Sequence, residues 1–177
     1  MNWRTRLQSI RWRSHLLTLL LAVVVLYGVN AWRTQDVPAV APDFHGQLVD
    51  GTPMTLADFR AQHPGKPVAL HFWADWCPVC RTEEHSISRL VRDADTPVLT
   101  IAMQSGDAEK VRNVLHEREL DWPTVVDEDG ALARAYALPG VPAFVVIDAS
   151  GRVADTQIGY TSEAGMRLRL WLAAHRP

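Results

Sequence analysis

The chain has 177 residues, 47% of them hydrophobic and 21% charged, which suits one folded domain and excludes an intrinsically disordered chain. Residues 1–33 carry five arginines and no acid, whereas residues 34–177 carry 13 basic and 20 acidic residues, a net charge of −7. This acidic main body argues against a basic nucleic-acid-binding surface, and we expect no nucleic-acid partner.

An uncharged apolar segment follows the basic N-terminus. Residues 14–32 carry no formal charge over 19 positions, and as a helix they span roughly 28 Å, close to the thickness of a bilayer core. Four arginines precede this segment and Arg33 follows it, so the positive-inside rule places residues 1–13 in the cytoplasm and the rest outside. We predict a single-pass transmembrane helix at 14–32 that acts as a signal anchor.

A cleaved signal peptide is the alternative interpretation, because it has the same basic start and apolar segment. The candidate cleavage sites follow Ala31 and Ala41, and Pro42 hinders a peptidase at the second of them. We favour the retained anchor, although either outcome exports the rest of the chain.

The exported part is predicted to begin with a linker and a β-hairpin. Residues 33–42 contain two prolines and show no helical period, which is typical of a linker, and the folded domain is expected at 43–177. Asp50-Gly51 tolerates the positive φ values of a tight turn between residues 44–49 and 52–56.

Strands and helices alternate through the rest of the domain. Apolar and β-branched runs predict strands at 68–73, 98–103, 125–126, 144–147 and 153–158. Helical spacing of apolar residues predicts helices at 78–92, 108–120, with Asp107 as N-cap, 131–137 and 162–174. The order predicts an α/β fold with a central mixed sheet flanked by helices.

The only two cysteines of the sequence, Cys77 and Cys80, follow the first of these strands and begin the next helix. Unpaired N–H groups at a helix N-terminus favour a thiolate, so Cys77 is expected to attack, while Cys80, one turn deeper and less exposed, resolves the mixed disulfide. Pro78 is tolerated in the first helical turn. We assign Trp76 to one wall of the catalytic site, and Pro78 and Val79 to the substrate-binding surface.

Two other kinds of chemistry fit a Cys-x-x-Cys pair. A structural zinc site normally needs four ligands, and the sequence has no second cysteine pair to complete one. A copper-handling protein that holds Cu(I) with Cys77, Cys80 and a nearby histidine is the alternative of a different class. We favour a redox-active disulfide, because export places the pair in an oxidising compartment, and we predict no metal and no organic cofactor.

Two sequence motifs support this interpretation. Phe-Trp-Ala-Asp-Trp-Cys-Pro-Val-Cys-Arg occupies 72–81, and Gly-Val-Pro-Ala-Phe-Val-Val-Ile-Asp occupies 140–148, followed by Gly151. They resemble the motifs of thioredoxin-like thiol:disulfide oxidoreductases, in particular the membrane-tethered TlpA/DsbE-like branch of bacterial periplasmic proteins. The resemblance covers about residues 40–175, and it implies a thioredoxin-like fold with an N-terminal hairpin and a helix-strand insertion between the motifs.

The resemblance also implies how the site works. It implies a cis peptide at Val141-Pro142 that faces the cysteines, with the Val141 backbone free to pair with an extended substrate. The expected substrates are periplasmic protein thiols and disulfides, and the expected direction is reduction, with electrons from a membrane donor of the disulfide-reductase hub type. The enzyme is expected in a bacterial inner membrane with its catalytic domain in the periplasm, and a link to copper tolerance is expected.

Three positions depart from the family pattern. His71 replaces a buried acid that serves proton transfer for the deeper cysteine, and it is expected either to do the same task, as a catalytic residue, or to hydrogen-bond in the core. His85 replaces a helix-kinking proline, although the family's glutamate is retained at Glu83, so that helix is expected to run straighter. Ala143 replaces an acidic residue of the cytochrome-maturation members, which weakens an apocytochrome-reductant role.

Overall fold

The computed structural model describes residues 3–175, with side chains from residue 15 onward and that of Trp12. The chain forms two compact units, the first ending at Gln35 and the second beginning at Asp36. The first unit is the helix α1 (Trp3–Arg33). Its part His15–Arg33 is long and apolar enough to cross a membrane, and none of that window is buried. Most side chains of the basic segment predicted at 1–13 lie outside the described part.

A β-hairpin and a short helix open the second unit. β1 (His45–Gln47) pairs with β2 (Pro53–Thr55) in antiparallel register, and Gly51 takes a φ of 88° in the predicted turn. The helix α2 (Leu56–Ala61) follows directly and was not predicted. It begins where the Thr55 hydroxyl accepts the backbone N–H of Asp58, because such a bond satisfies an N–H that the first helical turn leaves unpaired.

A five-stranded mixed sheet forms the centre of this unit, in the order β5-β4-β3-β6-β7. The strands β3 (Val68–Trp73), β4 (Val98–Met103) and β5 (Thr124–Asp127) pair in parallel, and β6 (Ala143–Ile147) pairs antiparallel with both β3 and β7 (Val153–Ile158). In the register between β3 and β6, Phe72 lies opposite Ala143. This pairing brings the end of β3, where the cysteines follow, beside the start of β6, which Pro142 precedes.

Four helices follow the strands as predicted. They are α3 (Pro78–Val91), α4 (Ala108–Glu117), α5 (Ala131–Ala135) and α6 (Glu163–Ala174). Asp107 caps α4 by accepting the N–H of Lys110, as predicted, although α4 ends three residues before the predicted end. α3 runs without interruption past His85. The predicted mixed sheet with flanking helices is confirmed.

The sheet separates two hydrophobic clusters. One cluster contains Phe44, Phe59 and Phe72, on the face that the hairpin, α2 and α5 cover. The other contains Trp73 and both cysteines, on the face of α3, α4 and α6. Because side chains alternate along a strand, Phe72 and Trp73 enter opposite clusters, and the cysteines begin a helix that packs on the Trp73 face.

Part of the segment predicted as linker pairs with the domain. The N–H of Val153 donates to Ala39 O at 3.0 Å, and the N–H of Ala41 donates to Gly151 O at 3.0 Å. Val40 lies opposite Arg152 in an isolated bridge. Residues 39–41 are therefore ordered against the start of β7, because hydrogen bonds to that strand satisfy their backbone groups, and the domain begins before residue 43.

Candidate active site

The Cys-x-x-Cys pair lies at the N-terminus of α3. Cys77 is the N-cap residue, with φ −86° and ψ 109°, and Pro78 is in the first turn. The backbone N–H of Cys80 donates to Cys77 Sγ at 3.2 Å, and both cysteines are free thiols. The first turn of α3 thus directs one of its N–H groups, which has no partner within the helix, at the Cys77 sulfur.

Burial of the two sulfurs differs from the prediction. Cys80 was expected to be the less exposed, but Cys77 and Cys80 are each only 3% exposed. Cys77 is also buried because its Sγ lies 3.7 Å from the carbonyl oxygen of Val141, in the loop before the neighbouring strand β6. The loop before β6 thus contributes to the burial of Cys77.

Val141 and Pro142 are brought to the cysteines as the sequence implied. The Val141–Pro142 peptide bond is cis, and Cys77 Sγ contacts Val141 O. Pro142 O accepts the backbone N–H of Gly159 at 2.8 Å, which ties this loop to the end of β7. Cys77, Val141 and Pro142 therefore form one site built from two chain segments.

Two exposed apolar side chains lie next to the cysteines in the sequence, one before Cys77 and one between Cys77 and Cys80. Trp76 is 56% exposed and Val79 is 42% exposed. The indole N–H of Trp76 donates to Gln104 O at 3.0 Å, so the ring has a fixed attachment while much of it remains in solvent. An anchored, exposed aromatic next to a reactive thiol is suited to contact an incoming protein.

His71 is fully buried on β3, and its ring lies edge-on to Trp122 with 6.1 Å between ring centroids. Neither ring nitrogen has a hydrogen-bond partner among residues 3–175, so the expected alternative of a hydrogen bond in the core is not found there. Burial lowers the pKa of His71 to about 3, which keeps the imidazole neutral. Its role in proton transfer stays a prediction.

Glu83 was noted in the sequence but given no role, and the structure places it at the site. It is 1% exposed and lies on α3 one turn after Cys80. Burial raises the pKa of Glu83 to about 7. The pKa of Cys80 is also raised, first by burial, then by its contact with Cys77 and by the charge of Glu83. The spacing of three residues from Cys80 was the available sequence signal, because such residues share a helix face.

The copper alternative gains no support from the arrangement of side chains. Within the described part of the chain, no group of three or more His, Cys, Asp or Glu residues is placed to hold a metal ion. The Cu(I) site hypothesised from the sequence, with Cys77, Cys80 and a nearby histidine, is therefore not found in that part.

The fold and the paired cysteines define a thioredoxin-like protein. Its relatives include two thiol-disulfide oxidoreductases, a solved disulfide oxidoreductase is 26% identical to it, and this protein is an enzyme of that class. The chain matches the AhpC/TSA family over residues 37–156, and it belongs to this family.

Three proteins illustrate the likeness. The thioredoxin-like protein YneN of Bacillus subtilis is 28% identical over 163 residues, which are 86% of this chain and 93% of that protein. The thiol-disulfide oxidoreductase ResA of Bacillus thuringiensis subsp. konkukian is 29% identical over 115 residues, 64% of each chain. The solved structure of an exposed lipoprotein thioredoxin from Streptococcus pneumoniae is 28% identical, with a TM-score of 0.62 over 74% of this chain and 99% of that one.

Proposed function

We propose that the protein exchanges disulfides with periplasmic proteins through Cys77 and Cys80. The observation that carries this proposal is the position of Cys77, which caps α3 and lies 3.7 Å from the carbonyl of Val141. In the reducing direction, the Cys77 thiolate attacks a client disulfide, forms a mixed disulfide and releases one client thiolate. The Cys80 thiolate then attacks Cys77 Sγ, the second client thiolate leaves, and the electron pair of the dithiol has passed to the client.

The resolving step needs a proton acceptor, because the raised pKa of Cys80 keeps that thiol protonated. We assign this task to Glu83, whose pKa of about 7 suits both gain and loss of a proton near neutral pH. His71 is the second candidate, as the sequence predicted. Its burial disfavours the imidazolium that it would become on accepting the proton.

Client binding is assigned to the groups around Cys77. The backbone of Val141 is proposed to pair with an extended client segment beside the mixed disulfide. Trp76, Pro78 and Val79 are proposed to supply apolar contact on the side of α3, which the exposure of Trp76 and Val79 supports.

The location is proposed from the N-terminal unit. A cytoplasmic N-terminus at 1–13 and a bacterial inner-membrane anchor at 14–32 fit the apolar part His15–Arg33 of α1. A short linker would follow from residue 33, and the periplasmic thioredoxin-like domain would begin by residue 39, where the chain pairs with β7. The four arginines before that helix support this orientation.

The direction of exchange is proposed to be reduction. The supporting observation is the resemblance of residues 72–81 and 140–151 to a branch that mostly works as reductants. A reductant in the periplasm needs electrons, and we propose a membrane donor of the disulfide-reductase hub type. Within that branch the sequence resembles suppressor of copper sensitivity protein D, and on this likeness we extend the proposal to copper tolerance.

Single substitutions of the two cysteines test the proposal on the full-length protein. Cys77→Ser is expected to abolish reduction of a protein disulfide such as that of insulin, because no attacking sulfur remains. Cys80→Ser is expected to accumulate a mixed disulfide through Cys77, visible as an adduct on a non-reducing gel. Full activity of Cys77→Ser would refute the assignment, and one tight Cu(I) equivalent without exchange activity would favour the copper alternative.

A further inference from the structure

Three contacts tie the turn before Cys77, residues 74–77, to the segment that follows β4. The backbone N–H of Asp75 donates to Ser105 Oγ at 3.1 Å, and Lys110 Nζ pairs with Asp75 Oδ2 at 2.9 Å. The third contact is the bond from the Trp76 indole to Gln104 O. Ser105 is itself fully buried, so this part of the turn is attached to an ordered support.

Arg118, the residue directly after α4, joins both flanks of the cysteine motif. Its Nη2 donates to Asp75 O at 3.0 Å, two residues before Cys77. Its Nη1 pairs with Glu84 Oε1 at 2.9 Å, four residues after Cys80. One guanidinium therefore connects the residues before the Cys-x-x-Cys motif with those after it.

The chemistry of this contact is specific to arginine. A planar guanidinium presents two N–H groups in a fixed fork, whereas the ammonium of lysine is a single point of donation on a flexible stem. The side chains of Arg118 and Glu84 are 20% and 21% exposed, so solvent screens this pair less than a fully exposed one. The two bonds restrain how the turn before Cys77 and the helix after Cys80 move relative to each other.

We propose that Arg118 is a positioning residue for the disulfide exchange: by holding both flanks of the cysteine turn, it stabilises the dithiol form and so sets the redox equilibrium of Cys77 and Cys80. This inference rests on the proposed function. The two bonds of Arg118 are present while both cysteines are free thiols and the Cys80 N–H donates to Cys77 Sγ. Interactions that stabilise the dithiol make a pair more oxidising, and their loss makes it more reducing.

Arg112, an arginine of the helix that precedes Arg118, provides a matched control. Arg112 of α4 also donates to a backbone carbonyl, that of Val49, which lies outside the cysteine turn. Arg112→Gln thus removes the same charge and a similar bond six residues earlier in the chain, so it reports any general effect of either loss.

The test is the equilibrium of the full-length protein, in detergent micelles, with glutathione. When the Cys77–Cys80 disulfide forms, the pair loses two electrons and two protons, and one glutathione disulfide becomes two glutathione molecules. Arg118→Gln is expected to shift this equilibrium constant about tenfold towards the protein disulfide, equivalent to about 30 mV more reducing. Arg118→Lys, which keeps the charge and loses the fork, is expected to shift it in the same direction, and Arg112→Gln is expected to leave it unchanged.

The possible results separate this inference from the proposed function. A wild-type protein that exchanges with glutathione, together with unshifted constants for both Arg118 variants, overturns the positioning role and leaves the proposed function standing. A wild-type protein that does not exchange overturns both. If near-ultraviolet circular dichroism shows that Arg118→Gln has not folded, Glu84→Gln is measured in its place, because it weakens the bond between Arg118 and residue 84 only. A smaller shift in the same direction is then expected, and no shift overturns the inference.

Discussion

The carboxylate of Glu83 accepts the backbone N–H of Thr161, 78 residues further along the chain. Two residues before Thr161, the N–H of Gly159 donates to Pro142 O. The loop between β7 and α6 is thus bonded on one side to the buried acid one turn after Cys80 and on the other to Pro142, the residue after Val141, whose carbonyl contacts Cys77. Tyr160, between these two bonds, is 58% exposed.

The titration of Glu83 is expected to make stability depend on pH. Burial raises its folded-state pKa from 4.5 to about 7, so between these pH values the folded state holds a proton that the unfolded state has lost. This carboxyl therefore lowers stability as pH rises through that window, by about 3 kcal/mol in total. Glu83→Gln keeps an acceptor for Thr161 and is expected to remove this loss. The measurement is the free energy of unfolding at pH 5 and pH 8 for both proteins in their reduced form, and equal pH dependence in the two would contradict a buried titrating Glu83.

His71 is expected to lower the stability of the folded state at acidic pH. Burial lowers its folded-state pKa from 6.5 to about 3, so below pH 6.5 the unfolded state binds a proton that the folded state excludes. Stability is therefore lost as pH falls, by roughly 3 kcal/mol at pH 4.5. His71→Leu is expected to lack this loss. Denaturant unfolding at pH 7.5 and pH 4.5 measures it as the difference between the two proteins, which cancels the contribution of other groups.

Trp76 is expected to contribute to client binding more than to folding. Trp76→Ala removes an exposed ring beside Cys77, and we expect KM for a protein disulfide to rise about fivefold, equivalent to about 1 kcal/mol, with little change in kcat. Trp171 on α6 is also 56% exposed, so Trp171→Ala is the matched control and is expected to leave KM unchanged. An equal rise in KM for both variants would show that exposed aromatic surface in general, and not its position beside Cys77, determines binding.

The orientation in the membrane is expected to depend on the arginines before α1's apolar part. Alkaline phosphatase fused to the C-terminus is active only outside the cytoplasm, and we expect high activity for the wild-type chain. Replacing Arg4, Arg6, Arg11 and Arg13 together by Asn is expected to lower that activity, because the bias that retains the N-terminus inside is removed. High cytoplasmic reporter activity from the unmodified chain, measured with a β-galactosidase fusion, would contradict the proposed topology.

Sequence patterns predicted the elements that depend on local signals. β3 and β4 were predicted with their observed bounds, because both are apolar runs, interrupted only by His71 and Thr100, that are buried in the sheet. α2 was missed because it has only six residues and buries only Leu56 and Phe59, too few for a visible helical period.

The parts of the site that the sequence did not reveal depend on distant contacts. The burial of Cys77 involves Val141, 64 residues away, and the bond from the Thr161 N–H to Glu83 joins residues 78 positions apart. The link from Arg118 to Asp75 crosses 43 residues. No short motif encodes such pairs, because they arise only when the sheet aligns β3, β4 and β6.

The pairing of residues 39–41 with the start of β7 fixes where the chain enters the folded domain, and this place is far from Cys77. These residues meet the loop 148–152 at the end of the sheet where β3 begins, whereas Cys77 follows the end of β3, roughly 17 Å away along the strand. The point where the chain enters the domain and the reactive thiol thus occupy opposite poles. We therefore expect that lengthening or replacing the stretch before residue 39 leaves the exchange chemistry at Cys77 unchanged.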